Sequence, residues 1–374
     1  IVCPSCCPYD TNLRDEECKA LLGTSRKSMS MLSLHTIIVA ILCVFPPAPS
    51  FACPPMPPRC HSRRMTLAWT SGRIHLPADR IICEMRDGQP RLAKDEDYAN
   101  AVLGAWQLDA ASRDDDAGSL ARPIKYFTSS DGTCLFGHVY RTKTTSEEEV
   151  PGIVLFHTGA GPQDVFLRWK ADSIATTLPC VVLIADILSD EDGWAWTDRD
   201  KYQKVRSEIL IPDKNGQRNR LAERAEVAIK TIQAQESVDP NRIAALGFCL
   251  GGHPIVELAR MKIPGVKVLS TFHGVFDGVQ QLGSPVGHSP NCAGTSKILI
   301  NNGRDDPFVP REDLEAAVKL FKELGHDCEV QEFDETRHGF TNPAQDFNPS
   351  ASFAFSVKSN EAAMSAVMEL LKDL

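Results

Sequence analysis

The chain has 374 residues, an apolar fraction of 43% and a charged fraction of 24%, a composition that excludes a fibrous or largely disordered protein. Its formal net charge is −9 and its isoelectric point is near 5.6. Because the sequence carries no dense stripe of lysine and arginine, we exclude nucleic acid as a partner.

The N-terminal 52 residues have the features of a leader. Residues 32–45 form an apolar run that is shorter than the roughly 20 residues needed to span a bilayer. Such a run, followed by small residues just before Cys53, is typical of a secretory signal peptide and its cleavage site. A start at Met29 or Met31 fits this interpretation. We predict a leader over residues 1–52, with a secretory or organellar location if the leader is a signal peptide and a cytoplasmic location otherwise.

The 13 cysteines do not form a disulfide framework for the whole chain. They cluster near the N terminus and are scattered singly elsewhere, the cluster being at positions 3, 6, 7, 18, 43, 53 and 60. Cys3 and Cys6 have the CxxC spacing of zinc ligands, but no second pair follows at a suitable distance. We therefore predict no metal ion and no organic cofactor.

Residues 53–121 are proline-rich and then acidic, with short apolar stretches such as AVLGAWQL, and they predict an irregular extension with one helix. After this segment, short runs rich in Val and Ile alternate with longer segments of helical period. That alternation is typical of βα units and a parallel sheet. We predict an α/β domain over residues 122–374.

Two leading strands, residues 124–128 and 135–141, are joined through Asp131 and Gly132, which suit the turn of an antiparallel hairpin. Further strands are predicted at residues 152–157, 180–186, 242–248, 266–272, 297–303 and 328–333. Helices are predicted at residues 164–178, 199–210, 218–235, 250–261, 311–324 and 352–372. The pattern predicts an open, mostly parallel sheet with helices on both faces, whose functional crevice lies beyond the carboxyl ends of the strands.

The stretch LGFCLGG, residues 246–252, places Cys249 where a predicted strand ends and a helix begins. A Gly-x-nucleophile-x-Gly pattern at such a junction makes a sharp turn that exposes the nucleophile above the sheet, and its glycines avoid the clashes of a Cβ. The N–H groups that open the helix favour a thiolate. The alternative is a buried structural cysteine, because free cysteine packs like a small apolar residue.

A carboxylate and a histidine follow two later predicted strands. The stretch NNGRDDPFVP contains Asp306, our choice, and Asp305, the alternative; a carboxylate here can orient a histidine and stabilise its charged form. The stretch DETRHGF places His338 in a loop. Each stretch alone is ordinary loop chemistry, but nucleophile, acid and histidine in this order are the chain order of α/β-hydrolases. We predict the triad Cys249, Asp306 and His338.

The stretch FHTGAGP, residues 156–162, follows another predicted strand and is a candidate for half of an oxyanion hole. The Gly159 N–H would act together with the Leu250 N–H, and each such donor stabilises a transition state by about 2.7–4 kcal/mol. A phosphate-binding loop is excluded because neither GxxxxGK[ST] nor GxGxxG is present.

The run from about Arg122 to Leu374 resembles the dienelactone hydrolase family of α/β-hydrolases. GFCLGG, GRDDPFVP and RHGF carry the resemblance, and cysteine in the nucleophile position is its specific part, since most hydrolases of this fold use serine there. The resemblance implies that Cys249, Asp306 and His338 hydrolyse an ester or lactone of a small molecule through a covalent acyl-cysteine.

The chain departs from the best-known members at two positions. Thr158 stands where they carry a glutamate that contacts the resting cysteine, and Asn342 stands where they carry an arginine for the substrate carboxylate. Both differences argue against a dienelactone itself as substrate. Candidate pocket residues are Thr158, Phe340, Trp194 and Trp196, the two tryptophans lying in a predicted insertion over residues 188–202.

Four other functions remain open at this point, of which a redox-sensing cysteine is the weakest because no resolving cysteine is evident nearby in the sequence. A thioesterase or a general carboxylesterase would use the same groups on a different acyl substrate. A non-catalytic ligand-binding protein on the same fold is favoured by the missing glutamate at Thr158. We further expect no stable membrane span and either a monomer or a homodimer.

Overall fold

The computed structural model describes residues 96–112, 118–142, 148–188, 199–284, 294–348 and 350–374. The predicted leader and most of the predicted extension lie outside these residues, as does the apolar run at 32–45. Within the described ranges, every helix is too short or too polar to cross a membrane.

The strands form one sheet with two edges. They are β1 (Ser119–Phe127), β2 (Cys134–Thr142), β3 (Val150–Phe156), β4 (Val181–Ala185), β5 (Val238–Phe248), β6 (Val266–Phe272), β7 (Lys297–Gly303) and β8 (Asp327–Phe333). Their order in this eight-stranded sheet is β1-β2-β4-β3-β5-β6-β7-β8. The β1–β2 and β2–β4 pairs are antiparallel and all other pairs are parallel. The predicted mostly parallel sheet with two leading antiparallel strands is confirmed.

The turn between β1 and β2 is held by one carboxylate. Asp131 accepts hydrogen bonds from the Thr128 hydroxyl at 2.6 Å and from the Thr133 backbone N–H at 2.9 Å. Gly132 has a φ of 69°, in the left-handed region that glycine enters without steric cost. The predicted Asp-Gly hairpin therefore forms where the sequence places it.

Helices cover both faces of the sheet, as predicted. They are α1 (Glu96–Ala111), α2 (Val165–Thr177), α3 (Arg199–Leu210), α4 (Asn219–Gln233), α5 (Gly252–Met261), α6 (Arg311–Glu323) and α7 (Val357–Lys372). Helix α7 begins later than the predicted start at residue 352 because the Ser356 side chain caps it by accepting the Ser359 N–H.

The period-two alternation of the strands separates two apolar cores. Val154 and Phe156 of β3 pack with α3, α4, α5 and α6, whereas Ile153 and Leu155 pack with α1, α2 and α7. All four side chains are fully buried, which explains why the central strands are continuous apolar runs in the sequence.

Helix α1 lies inside the segment that the sequence predicts as an irregular extension with one helix. It packs on α2 through two reciprocal hydrogen bonds: the Trp106 indole N–H donates to Asp172 at 2.7 Å, and the Trp169 indole N–H donates to Asp109 at 3.0 Å. The packed structure therefore begins upstream of Arg122.

We expect Trp106→Phe to lower the free energy of unfolding by about 1–2 kcal/mol, because phenylalanine removes the N–H donor to a charged, partly buried acceptor. Leu108→Ala on the same helix is the matched control, since Leu108 is 52% exposed and its truncation should change stability by less than about 0.5 kcal/mol. Urea unfolding of both variants measures the difference. Equal stability of the two variants would contradict the role of the indole hydrogen bond.

Candidate active site

Cys249 lies at a sharp turn between β5 and α5. The strand ends at Phe248, residues Cys249–Gly251 form one 3-10 turn, and α5 follows at Gly252. The φ of Cys249 is 54°, a left-handed conformation that is uncommon for a residue with a side chain and is concentrated at functional sites. This conformation raises the side chain above the carboxyl edge of the sheet.

The glycines around Cys249 are required by close backbone contacts. A Cβ on Gly251 would lie 2.6 Å from the Phe156 carbonyl oxygen, and one on Gly252 would lie 2.6 Å from the Val275 carbonyl oxygen. A Cβ on Gly247 would clash with the Gly251 backbone. Each neighbour is main chain that cannot move aside, so the GFCLGG pattern reflects the tightness of this turn.

His338 is oriented by Asp306. Its Nδ1 lies 2.7 Å from Oδ2 of Asp306, and the other carboxylate oxygen accepts the Phe308 N–H at 2.9 Å. Asp306 is 5% exposed, whereas the neighbouring Asp305 is exposed. The carboxylate that contacts the histidine is therefore that of Asp306, the first choice from the sequence.

The imidazole of His338 sits in an aromatic enclosure. It is 2% exposed, and its ring centroid lies 4.8 Å from Phe308, 5.3 Å from Phe353 and 5.0 Å from His273. The His338 backbone N–H donates to the Ser352 carbonyl at 3.1 Å. Packing and hydrogen bonds together restrict the ring to one orientation.

Cys249 and His338 meet across the site. The two side chains are close enough to interact electrostatically. Burial lowers the pKa of His338, but the negative charges of Asp306 and Cys249, with their hydrogen bonds, outweigh it and raise that pKa to about 10. A charged imidazolium stabilises negative charge placed beside it. Cys249 is partly exposed.

The two predicted oxyanion donors belong to neighbouring loops. Strands β3 and β5 pair in parallel with Phe156 opposite Gly247, so the loops that carry Gly159 and Leu250 leave the same edge side by side. The Gly159 backbone is closely approached, since a Cβ there would lie 3.0 Å from the Tyr202 hydroxyl.

The two positions that depart from the family pattern are engaged in local turns. The Thr158 hydroxyl accepts the Ala160 N–H at 3.1 Å, and the Asn342 carboxamide oxygen accepts the Ala344 N–H at 3.0 Å. Thr158 is partly buried and Asn342 is 3% exposed. Both side chains therefore shape the backbone of their loops.

The position of Phe340 differs from the prediction that this residue lines the substrate pocket. It is fully buried, and its ring centroid lies 5.4 Å from those of His273 and Phe333. The ring belongs to the apolar core beneath the site, because the backbone after Gly339 turns it inward, and it does not line a pocket. Trp194 and Trp196 lie outside the described residues.

Two histidines at the site were missed from the sequence. His157 follows β3 and His273 follows β6, and both are fully or almost fully buried. The signal was present in VLFHTG and STFHGV, where a histidine directly follows a strand, one or two residues before a glycine. The ring of His273 is 2.9 Å from the Thr341 hydroxyl, and burial together with the charge on His338 holds its pKa well below the usual range. No group of metal-ligating side chains occurs among the residues that the structure describes.

Three comparisons place the chain among known proteins. A curated, uncharacterized protein of Caenorhabditis elegans is 23% identical over 164 residues, which is 44% of this chain and 98% of that protein. The solved structure named m3DLH is 25% identical with a TM-score of 0.58, covering 68% of this chain and 98% of its own. A dienelactone hydrolase-like promiscuous phosphotriesterase from metagenomic libraries is 25% identical with a TM-score of 0.57, covering 69% and 99%. The model of the dienelactone hydrolase family matches residues 137–374, and the chain belongs to this family of hydrolases.

Proposed function

We propose that the chain hydrolyses the ester bond or lactone of a small molecule through a covalent acyl-cysteine. One observation carries this proposal: Nδ1 of His338 lies 2.7 Å from the buried Asp306, at the sheet edge where Cys249 occupies a strained turn. A nucleophile, a general base and an orienting carboxylate thus follow parallel strands of the same sheet.

In the first half of the reaction, the Cys249 thiolate attacks the carbonyl carbon of the ester. A C–S bond forms, and the carbonyl electron pair moves to the oxygen, where the Gly159 and Leu250 N–H groups stabilise the negative charge. When the tetrahedral species collapses, the C–O bond to the alcohol breaks. His338 gives its proton to the departing alkoxide, and the acyl group remains on sulfur as a thioester.

In the second half, water attacks the thioester. The neutral His338 takes a proton from that water, and a second tetrahedral oxyanion forms on the same two N–H groups. Collapse breaks the C–S bond, releases the carboxylic acid and restores the thiolate beside the imidazolium. Asp306 stabilises the charged ring in both halves and does not itself receive the proton.

The surroundings of the sulfur favour a neutral substrate. The rings of Phe308 and Phe353 flank His338, and the position of the family arginine is held by Asn342, which is committed to the turn at Ala344. A substrate carboxylate would therefore lose a cationic partner that it has in the best-known members. We expect uncharged esters to be better substrates than a dienelactone.

Thioesters and phosphotriesters are second candidates. A thiolate with an oxyanion hole also cleaves thioesters, and one of the similar structures is a promiscuous phosphotriesterase. The values of kcat/KM for three compounds distinguish hydrolysis of esters, thioesters and phosphotriesters. The compounds are a nitrophenyl acetate, an acyl thioester and a nitrophenyl dialkyl phosphate. A protein that binds these compounds without turnover of any of them would be a ligand-binding member of the fold.

Replacement of the nucleophile tests the central assignment. We expect Cys249→Ala to reduce release of nitrophenol from a short-chain nitrophenyl ester at least about 10³-fold, because removing a nucleophile eliminates the covalent route. Cys328→Ser, a partly buried thiol on the edge strand β8, is the matched control and should keep full activity. Unchanged turnover in the Cys249 variant would refute the proposal.

The two adjacent carboxylates provide a second test. Asp306→Asn should lower kcat by about 10²–10⁴-fold, since an amide cannot stabilise the imidazolium. Asp305→Asn changes the same charge one residue away, on an exposed side chain, and should alter kcat by less than about twofold. Steady-state kinetics of both variants measure this, and equal effects would remove Asp306 from the mechanism.

Alkylation separates a reactive thiolate from an inert thiol. We expect iodoacetamide at pH 7 to modify Cys249 well before Cys180 or Cys328, because burial raises the pKa of Cys180 to about 12 and that of Cys328 to about 11. Peptide mass spectrometry over time gives the order. His338→Gln should slow modification of Cys249 at least about tenfold, because the thiolate loses its cationic partner. Modification of all three cysteines at one rate would favour the non-catalytic interpretation.

A further inference from the structure

His157 connects the loop after β3, which carries Gly159, to the segment that follows β4. Its side chain is fully buried, and both ring nitrogens have backbone partners. Nδ1 lies 2.6 Å from the Thr158 carbonyl oxygen, and Nε2 lies 3.1 Å from the Ile187 backbone nitrogen. The catalytic steps above make no use of this residue.

These two contacts indicate which ring nitrogen carries the hydrogen. The Ile187 N–H can only donate, so Nε2 must carry a lone pair; the Thr158 carbonyl can only accept, so Nδ1 must carry the hydrogen. The opposite tautomer would place two donors together at one end and two acceptors at the other. The contacts of His157 therefore fit the tautomer with its hydrogen on Nδ1.

A buried carboxylate lies next to the same ring. Oδ1 of Asp186 is 3.5 Å from Nε2 of His157 and accepts the Leu188 N–H at 2.8 Å. If the ring turned toward Asp186, the Ile187 N–H would lose its buried acceptor. The hydrogen bond from Ile187 thus holds Nε2 in place as an acceptor.

The contact with Thr158 has a geometric consequence for Gly159. The Thr158 carbonyl and the Gly159 N–H belong to one peptide unit, and the described backbone contains no cis peptide. In a trans peptide, the C=O and N–H bonds point in opposite directions. The Thr158 oxygen is held by His157 and also by the Gly161 N–H at 3.1 Å, so the direction of the Gly159 N–H is held as well.

We propose that His157 is a positioning residue that aims the Gly159 N–H at the oxyanion by holding the carbonyl end of the same peptide. This inference rests on the proposed function, in which Gly159 donates to the oxyanion. It assigns to His157 an effect on the transition state that does not depend on contact with the substrate.

Two substitutions of His157 test the roles of its two ring nitrogens independently. In His157→Asn, the carboxamide nitrogen reaches the place of Nδ1 and keeps the bond to Thr158. In His157→Gln, the carboxamide oxygen reaches the place of Nε2 and keeps the bond to Ile187. Both variants lose one buried hydrogen bond, so they are matched in stability, but only the glutamine variant removes the side-chain contact with the Thr158 carbonyl and leaves that oxygen to the Gly161 N–H alone.

We expect His157→Gln to lower kcat for a nitrophenyl ester by about 10–100-fold with little change in KM, somewhat less than the loss of a whole oxyanion donor. His157→Asn should stay within about threefold of wild type, because the peptide direction is kept. Melting temperatures of both variants show that neither effect is unfolding. Equal kcat in the two variants overturns the inference.

Two inhibitors add a readout that a merely structural role would not change. A trifluoromethyl ketone forms a tetrahedral adduct on Cys249 whose oxygen needs the oxyanion donors, whereas iodoacetamide reacts by displacement and does not. His157→Gln should weaken inhibition by the ketone about as much as it lowers kcat. The rate at which iodoacetamide alkylates Cys249 should stay unchanged. A parallel loss of both would indicate general damage to the site and overturn the inference.

The outcome for His157 is distinguishable from that for the proposed function. Full activity of Cys249→Ala refutes the hydrolase mechanism whatever the His157 variants do, while an inactive Cys249→Ala with equal asparagine and glutamine variants refutes only the positioning role. Nitrogen NMR of the histidine rings gives a further test that uses only the wild-type protein. A His157 ring without a hydrogen on Nδ1 overturns the inference.

Discussion

The hydrogen bond between Asp306 and His338 is the interaction on which the candidate site depends. His338 is 2% exposed, and burial alone favours a neutral ring because a charged one loses its hydration. The carboxylate at 2.7 Å reverses that preference and, together with the sulfur of Cys249, raises the pKa of the histidine to about 10. A buried carboxylate is stable only when it is paired and hydrogen-bonded, and Asp306 meets this condition through His338 and the Phe308 N–H. The negative charge of Asp306 and the positive charge of His338 therefore stabilise each other.

The sheet brings these groups together because its parallel strands end at one edge. Cys249 follows β5, Asp306 follows β7 and His338 follows β8, and β6 lies between the first two. The buried His273 at the end of β6 fills that interval, 5.0 Å from His338. Its neutral ring occupies the space beside the imidazolium without adding a second positive charge.

Environment distinguishes Cys249 from the other cysteines of the described residues. Cys180 is buried among aliphatic neighbours, and burial raises its pKa to about 12. Cys249 instead lies on a strained turn, partly exposed, and interacts electrostatically with His338. The residue type is the same in both cases; the left-handed backbone at 249, which only the flanking glycines permit, accounts for the difference.

The sequence by itself determined the strands, the helices, the family and the order of the candidate triad, because apolar periodicity, glycine spacing and motif order are local properties of the chain. It left Asp305 and Asp306 open, assigned Phe340 to a pocket and overlooked His157 and His273. Only the tertiary structure decided these points. Adjacent residues in one loop face opposite directions, and a phenylalanine belongs to the core or to a pocket according to the residues that pack on it. A histidine acquires its role from partners such as Ile187 that are distant in the chain. Distances between separate loops exist only after the strands have paired, so no local pattern encodes them.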